Sequence, residues 1–323
     1  MPLSSMQLIA LMNIPRIGKK TAAKLSQNFE SVPSNDEFIE RLSSKDRGIK
    51  IQITKDNLIS GLSHAKEVLE KSESLGIKSL NIYDEKYPNC LRYAFSENGQ
   101  TVITPPVIFF KGNIELLEKD WLLIIGSRNC KEYAKKAALY LSENFATRNF
   151  TIVSGLAKGC DTAVHEGAIK TGKTIAVVGN GLDIVYPKEN KELATKILET
   201  GGLIFSEYEL GTPANKYTLV ARDLLQTAVS NAVIIVQTAE NGGSMHAAIT
   251  AFNSGKKVYT VQFSDKSFNN SDECSGNNIL VSKYGASYIK ATADKKEMNT
   301  YLDIIAKQIK GENLWNKIIY HGI

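Results

Sequence analysis

Four short loops in this 323-residue chain carry the residue types that hold anions. Gly126-Ser127-Arg128 follows an apolar run. Glycine lets the backbone come close to an anion, serine offers a hydroxyl donor and arginine a bidentate fork. Ser154-Gly155-Leu156-Ala157-Lys158-Gly159-Cys160-Asp161 places two glycines, a hydroxyl and a lysine just before a predicted helix, whose amino end favours negative charge. Gly179-Asn180-Gly181 and Gly242-Gly243-Ser244 complete the set. Any one loop reads as well as a tight strand-to-helix turn. Four at strand ends along the same edge of one sheet, with Arg128 and Lys158 among them, are expected to bind phosphates.

Other chemistries fail on spacing. Gly179-x-Gly181 has no third glycine three residues on, and no GxxxxGK[ST] occurs, so neither a dinucleotide fingerprint nor a P-loop is met. His64, His165, His246 and His321 lack partners at metal-ligand spacing. Cys90, Cys130, Cys160 and Cys274 include no CxxC pair. Asp161 and His165, at i and i+4, read either as an acid–base couple or as a capping carboxylate beside a satisfied histidine, the second being the expectation. No catalytic residue, metal or cofactor is expected.

The elements that must position these loops follow from apolar patterning. WLLIIGS, FTIVSGLA, KTIAVVGNG, GGLIFSEY, NAVIIVQTA and KKVYTVQF are short β-branched runs bounded by Gly, Asn or Ser and separated by predicted helices, such as Ala134 to Arg148 and Asp161 to Thr171. Continuous apolar strands alternating with helices predict a doubly wound, mostly parallel sheet covered on both faces. Residues 1–78 read as a small helical domain, with one helix from about Asp56 to Leu75 capped by Gly76. Within it, IPRIGKKTAAKLSQNF (14–29) resembles half of a helix-hairpin-helix and reads equally as an ordinary helix start. Residues 79–120 read as a strand-and-loop lead-in packed on the main domain at 121–290, and 291–323 as a short helical segment.

Composition is that of a folded globular protein, with 43% hydrophobic and 23% charged residues. A net charge of +5 leans mildly toward polyanions. No run approaches a membrane span of roughly 18 apolar residues. The amino terminus lacks a basic n-region and a small-residue cleavage site. A reducing, cytoplasmic compartment without membrane contact is the expectation.

At these loops the sequence resembles the DprA/Smf family of DNA-processing proteins. The matching residues are Gly126-Ser127-Arg128, then IVSGLAKGCD (152–161) with His165, Gly167 and Ala168, TIAVVGNGLD (174–183) and Tyr186-Pro187-x-x-Asn190. GLIFSEY (202–208), Gly211-Thr212-Pro213, Gly242-Gly243-Ser244 and Ser275-Gly276 with Asn277 continue in order, and Tyr87-Pro88 with Pro105 to Asn113 fits the lead-in. The resemblance covers about residues 80–290. It implies a Rossmann-like domain and a protein that is not an enzyme. Such a protein binds single-stranded DNA, pairs as a homodimer and loads a RecA-type recombinase during DNA uptake. Carried over by position, the phosphate-binding set is Gly126, Ser127, Arg128, Ser154, Gly155, Lys158, Gly159, Gly243 and Ser244. Arg222 matches the first residue of the family's Arg-Asn-Arg.

The chain departs from that pattern at several points. Asp223-Leu224 stands where the family has Asn-Arg, His246 replaces a threonine, and Gln262-Phe263 replaces an expected glycine. The winged-helix tail of many members does not fit the short carboxyl segment. The altered positions also suit a sensor of a small nucleotide, with Asp223 accepting from ribose hydroxyls. A nucleotide phosphoribohydrolase fits less well, because the loop from Asn241 to Ala248 has no glutamate at the required spacing.

Overall fold

The computed structural model describes residues 2–44, 51–92, 104–290 and 294–311. Its first four helices are α1 (Ser5–Met12), α2 (Lys19–Ser26), α3 (Asn35–Ser43) and α4 (Lys55–Ser74). Their starts are written in the sequence. Ser4 and Thr54 each form a reciprocal capping box, with Gln7 and Asn57. Gly76, at φ +68, follows α4.

The strands are β1 (Lys78–Asn81), β2 (Val107–Gly112), β3 (Trp121–Ile125), β4 (Thr151–Ser154), β5 (Thr174–Val177), β6 (Leu203–Ser206), β7 (Ala232–Ile235), β8 (Lys257–Gln262) and β9 (Ser287–Lys290). Between and after them lie α5 (Asn89–Arg92), α6 (Glu132–Thr147), α7 (Cys160–Ala168), α8 (Lys191–Glu199), α9 (Lys216–Val229), α10 (Gly243–Asn253), α11 (Lys266–Asn269), α12 (Ser275–Tyr284) and α13 (Lys295–Gly311).

Among the described residues the strands form one sheet in the order β1-β2-β6-β5-β4-β3-β7-β8-β9. β3 to β9 pair in parallel wherever they meet, with Leu123 opposite Val153 on one side and Val233 on the other. β3, β4, β5, β6 and β7 are buried at every residue, as strands covered on both faces must be. From β3 the chain lays down β4, β5 and β6 in one direction, then returns to place β7, β8 and β9 in the other. The order therefore reverses between β3 and β7, and the loops leaving those two strands diverge there.

Two features differ from the sequence reading. The lead-in does not merely pack on the sheet but extends it: β2 adds antiparallel to β6, with Phe109 opposite Ser206, and β1 pairs antiparallel to β2. β9, an edge strand with Ile289 alone buried, escaped notice because Tyr288 and Ile289 side by side make neither an alternating pattern nor an apolar run. The carboxyl segment is helical in α13, where Met298, Leu302, Ile305 and Ile309 form the buried stripe. Residues 312–323, including His321, lie outside the described part.

The amino-terminal helices are joined to the sheet by a common apolar cluster. Leu8, Leu11, Phe38 and Leu58 belong to the same buried group as Val107, Phe109, Ile197 and Ile204. Polar contacts add to it: Lys19 pairs with the buried Glu207 just after β6, and His64 Nε2 lies 2.7 Å from Glu209. Gly18, at the end of the Ile14–Gly18 turn, is the N-cap of α2, and the first lysine of that helix, Lys19, faces the sheet. No described helix is long and apolar enough to cross a membrane.

Candidate nucleic-acid interface

The cleft at the strand-order reversal has a volume of about 440 Å³. The loop after β3 forms one wall with Gly126, Ser127 and Arg128, and the loop after β7 forms the other with Thr238, Gly242, Gly243 and Ser244. α9 supplies the third side through Arg222, Asp223 and Gln226. Arg128 is exposed and makes no ion pair among the described residues. Gly242, the N-cap of α10, leaves that helix without a side-chain cap. The N–H groups of Gly243 and Ser244 therefore end the helix at the cleft, where an anion is favoured. A neighbouring cavity of about 380 Å³ shares Arg128, Asp223 and Gly243 and adds Lys216, Tyr186 and His246.

The loop after β4 reaches the cleft through Ala157 and Asp161 but turns its expected phosphate ligands elsewhere. Ser154 is fully buried and its hydroxyl donates to the Ile124 carbonyl, 2.8 Å away. A Cβ on Gly155 would meet the Arg222 guanidinium, and one on Gly159 would strike the carbonyls of Ser127 and Arg128. Lys158 reaches sideways to Glu189, 2.7 Å away. The expected phosphate set therefore divides. Gly126, Ser127, Arg128, Arg222, Gly243 and Ser244 line the cleft, whereas Ser154, Gly155, Lys158 and Gly159 shape or support it without lining it. Ser154 in particular has its hydroxyl occupied and corrects the sequence reading.

Arg222 is buried as well, and Nη1 donates to the Val177 and Gly155 carbonyls at the ends of β5 and β4. Its Nε lies 2.9 Å from Asp223, close enough for an ion pair though not aligned as a hydrogen bond. Most of its charge is answered inside the protein. Asp223 does not point away from the cleft; it lines both cavities and accepts from Gln226. Burial pushes its carboxyl above the usual aspartate range, against the pull of Arg222 and Arg128.

The Asp161–His165 pair has a structural role. Asp161 accepts from the N–H groups of Gly155 and Ala157 and so holds the loop after β4, while its own burial raises its pKa. His165 sits 2.8 Å from Thr174 Oγ1, and that hydroxyl donates onward to the Ile152 carbonyl. The imidazole therefore carries its proton on Nδ1. Burial lowers its pKa to about 3, so it is neutral at ordinary pH.

Sequence reasoning missed the residues that fix the loops. Asn277 bridges the Val236 and Val261 carbonyls and accepts from Thr238 N–H, stitching the ends of β7 and β8. Asn190 donates to Leu156 and Ala157, and Asp183 accepts from Gly211 through both oxygens. All three lie in or beside the matched motifs, which was the available signal. Among the described residues no cluster of His, Cys, Asp and Glu could hold a metal.

Comparison with known proteins decides the family. Residues 78–299 match the model of the DNA recombination-mediator protein A family. The chain belongs to this family. Protein Smf of Escherichia coli is 34% identical over 158 residues, which are 49% of this chain and 42% of that one. DNA processing protein DprA of Streptococcus pneumoniae is 34% identical over 184 residues, 57% of this chain and 62% of the relative. The match thus spans less than two thirds of either relative's length. The X-ray structure of the pneumococcal DprA superimposes with a TM-score of 0.71 at 25% identity, covering 90% of this chain and 95% of that one. DNA processing protein A of Helicobacter pylori, whose structure describes a single-stranded DNA binding mode, gives 0.58 at 28% identity, covering 71% and 96%. This member of the recombination-mediator family thus keeps the family's α/β sheet while placing Asp223 at its cleft.

Proposed function

We propose that this recombination-mediator protein binds single-stranded DNA in the cleft between the loops after β3 and β7, as a cytoplasmic accessory of recombination that binds rather than catalyses. The observation that carries the reading is the unpaired Arg128 facing the uncapped amino end of α10 across the strand-order reversal. Arg128 supplies a bidentate donor to one phosphate, and the Gly243 and Ser244 amides meet the next. The single-stranded DNA binding mode described for the H. pylori relative supports the ligand class. Pairing as a homodimer and loading of a RecA-type recombinase belong to the same proposal and rest on the family resemblance.

The test is the affinity for fluorescent oligo-dT at two salt concentrations. Binding falls steeply with salt, and Arg128→Ala flattens the slope by about 0.7 for the one lost phosphate contact. Absence of binding at low salt overturns the DNA reading. The location of Asp223 in the cleft favours a second reading, a small nucleotide whose ribose hydroxyls donate to that carboxylate. Nucleotide binding with no response to oligo-dT would establish it.

A further inference from the structure

A separate cavity of about 430 Å³ opens on the same sheet edge, beyond the end of β8. It lies between α6 and the amino end of α13, and its walls include Tyr133, Tyr140, Phe263 and Met298 with Lys136 and Lys295. Tyr133, Lys136 and Tyr140 stand at i, i+3 and i+7 of α6, so one helix face presents all three. Tyr133 is 55% and Tyr140 36% exposed, although both rings line a groove that is mostly apolar.

The tyrosine nearest the cleft is braced from behind. Its ring centroid lies 5.6 Å from that of Phe268, which lies 4.8 Å from that of Phe263. A ring held in this way loses little freedom when a second flat group stacks on its open face. The charges are also uncompensated: Lys131 pairs with Glu273 and Lys135 approaches Glu132, whereas Lys136 and Lys295 make no ion pair among the described residues. Open aromatic rings flanked by unanswered lysines fit an anionic, aromatic ligand better than an apolar protein surface.

The groove is a near neighbour of the cleft along the chain. Asn129 ends the β3 loop at the cleft wall, Lys131 caps α6, and Tyr133 lies in the first turn of that helix. We propose that the groove is a base-stacking site for single-stranded DNA leaving the cleft, with Tyr133 under a base and Lys136 and Lys295 beside the phosphates. Tyr133 and Tyr140 are two helical turns apart, roughly 10 Å, which leaves room for more than one base. The inference rests on the DNA reading of the cleft.

Tyr133→Ala and Lys136→Glu are measured with oligo-dT of roughly 4 and roughly 12 nucleotides, lengths that span the usual range of such sites. The long oligonucleotide is expected to bind about tenfold more weakly to either variant, and the short one unchanged, because it fills the cleft alone. Tyr133→Phe restores the long-oligonucleotide affinity, since stacking needs the ring and not the hydroxyl. Equal losses at both lengths, or none at either, overturn the proposal. Arg128→Ala separates the two readings. If it weakens both lengths while Tyr133→Ala and Lys136→Glu change neither, the groove reading alone fails; if it changes nothing, the cleft reading fails with it. Should Tyr133→Ala unfold, Lys136→Glu decides. A Tyr133→Ala variant with altered sedimentation and unaltered DNA affinity assigns the groove to a second copy of the chain and overturns the proposal.

Discussion

The loops after β3 and β4 have nearly the same vocabulary, a serine beside a glycine with a cation close by, yet they do opposite work. The loop after β3 opens to the cleft with Arg128 exposed and unpaired among the described residues. The loop after β4 folds inward, with Ser154 donating to a strand carbonyl and Lys158 tied to Glu189. Their positions in the sheet explain the difference. β3 stands at the reversal of strand order, where its loop and that of β7 part and leave a crevice. β4 lies within a run of neighbours wound in one direction, and its loop is tied down by Arg222 of α9 at Gly155 and by Glu189 at Lys158. Residue types state which chemistry is available; topology decides which loop uses it.

Several experiments break or sharpen this contrast. The largest effect is expected at Gly159, where φ is +79 and an added Cβ would lie 2.5 Å from the Ser127 carbonyl and 2.4 Å from that of Arg128. Gly159→Ala should lower the unfolding free energy by about 2–4 kcal/mol in denaturant titration. A near-neutral result would mean that the two loops are not wedged together. Next comes Arg128→Ala, which should weaken oligo-dT binding roughly 10- to 100-fold. Lys158→Ala is its counterpart. An exposed ion pair contributes little, so that variant should stay within about twofold of wild type in both affinity and stability. A large loss at Lys158 would put the β4 loop on the DNA path after all.

Two pH effects lie between these extremes. His165 has its pKa lowered to about 3 from 6.5, so the unfolded chain takes up the proton first. The stability contributed by keeping it neutral is complete above about pH 6.5 and is lost as pH falls toward 3, at about 1.4 kcal/mol per unit. His165→Gln should flatten that part of the stability curve. Asp223 has the opposite sense, its pKa being raised by burial. A polyanion beside it raises it further, so DNA binding takes up a proton and affinity climbs as pH drops through the range just above ordinary aspartate values. Asp223→Asn should abolish that slope and strengthen neutral-pH binding by about 2- to 5-fold.

Much of the fold was legible because the central strands announce themselves. Trp121–Ile125 and Ala232–Ile235 are uninterrupted apolar runs, the signature of strands buried on both faces. The edges were harder to read. Lys78–Asn81 and Ser287–Lys290 bury one residue each, and nothing local shows that β2 would pair backwards onto β6. The candidate site follows the same rule. Arg128 and the Gly242–Ser244 loop were legible from residue type at a strand end. The burial of Ser154 and the pairing of Lys158 were not, because they depend on Ile124, thirty residues back, and Glu189, thirty-one ahead. Asp223 was recognised as foreign to the pattern, but its partner on the neighbouring Arg222 needed the helix geometry of α9.

The apolar cluster that joins α1 and α4 to the β2–β6 side of the sheet sets how the molecule comes apart. Leu8 and Leu58 belong to one buried cluster with Val107 and Ile204, so the core of the helices runs on into that of the sheet. The helices and the sheet should therefore melt in a single calorimetric transition. Cleavage in the first 75 residues should uncover the Val107, Phe109 and Ile204 side of the sheet, which a rise in binding of an apolar dye would report.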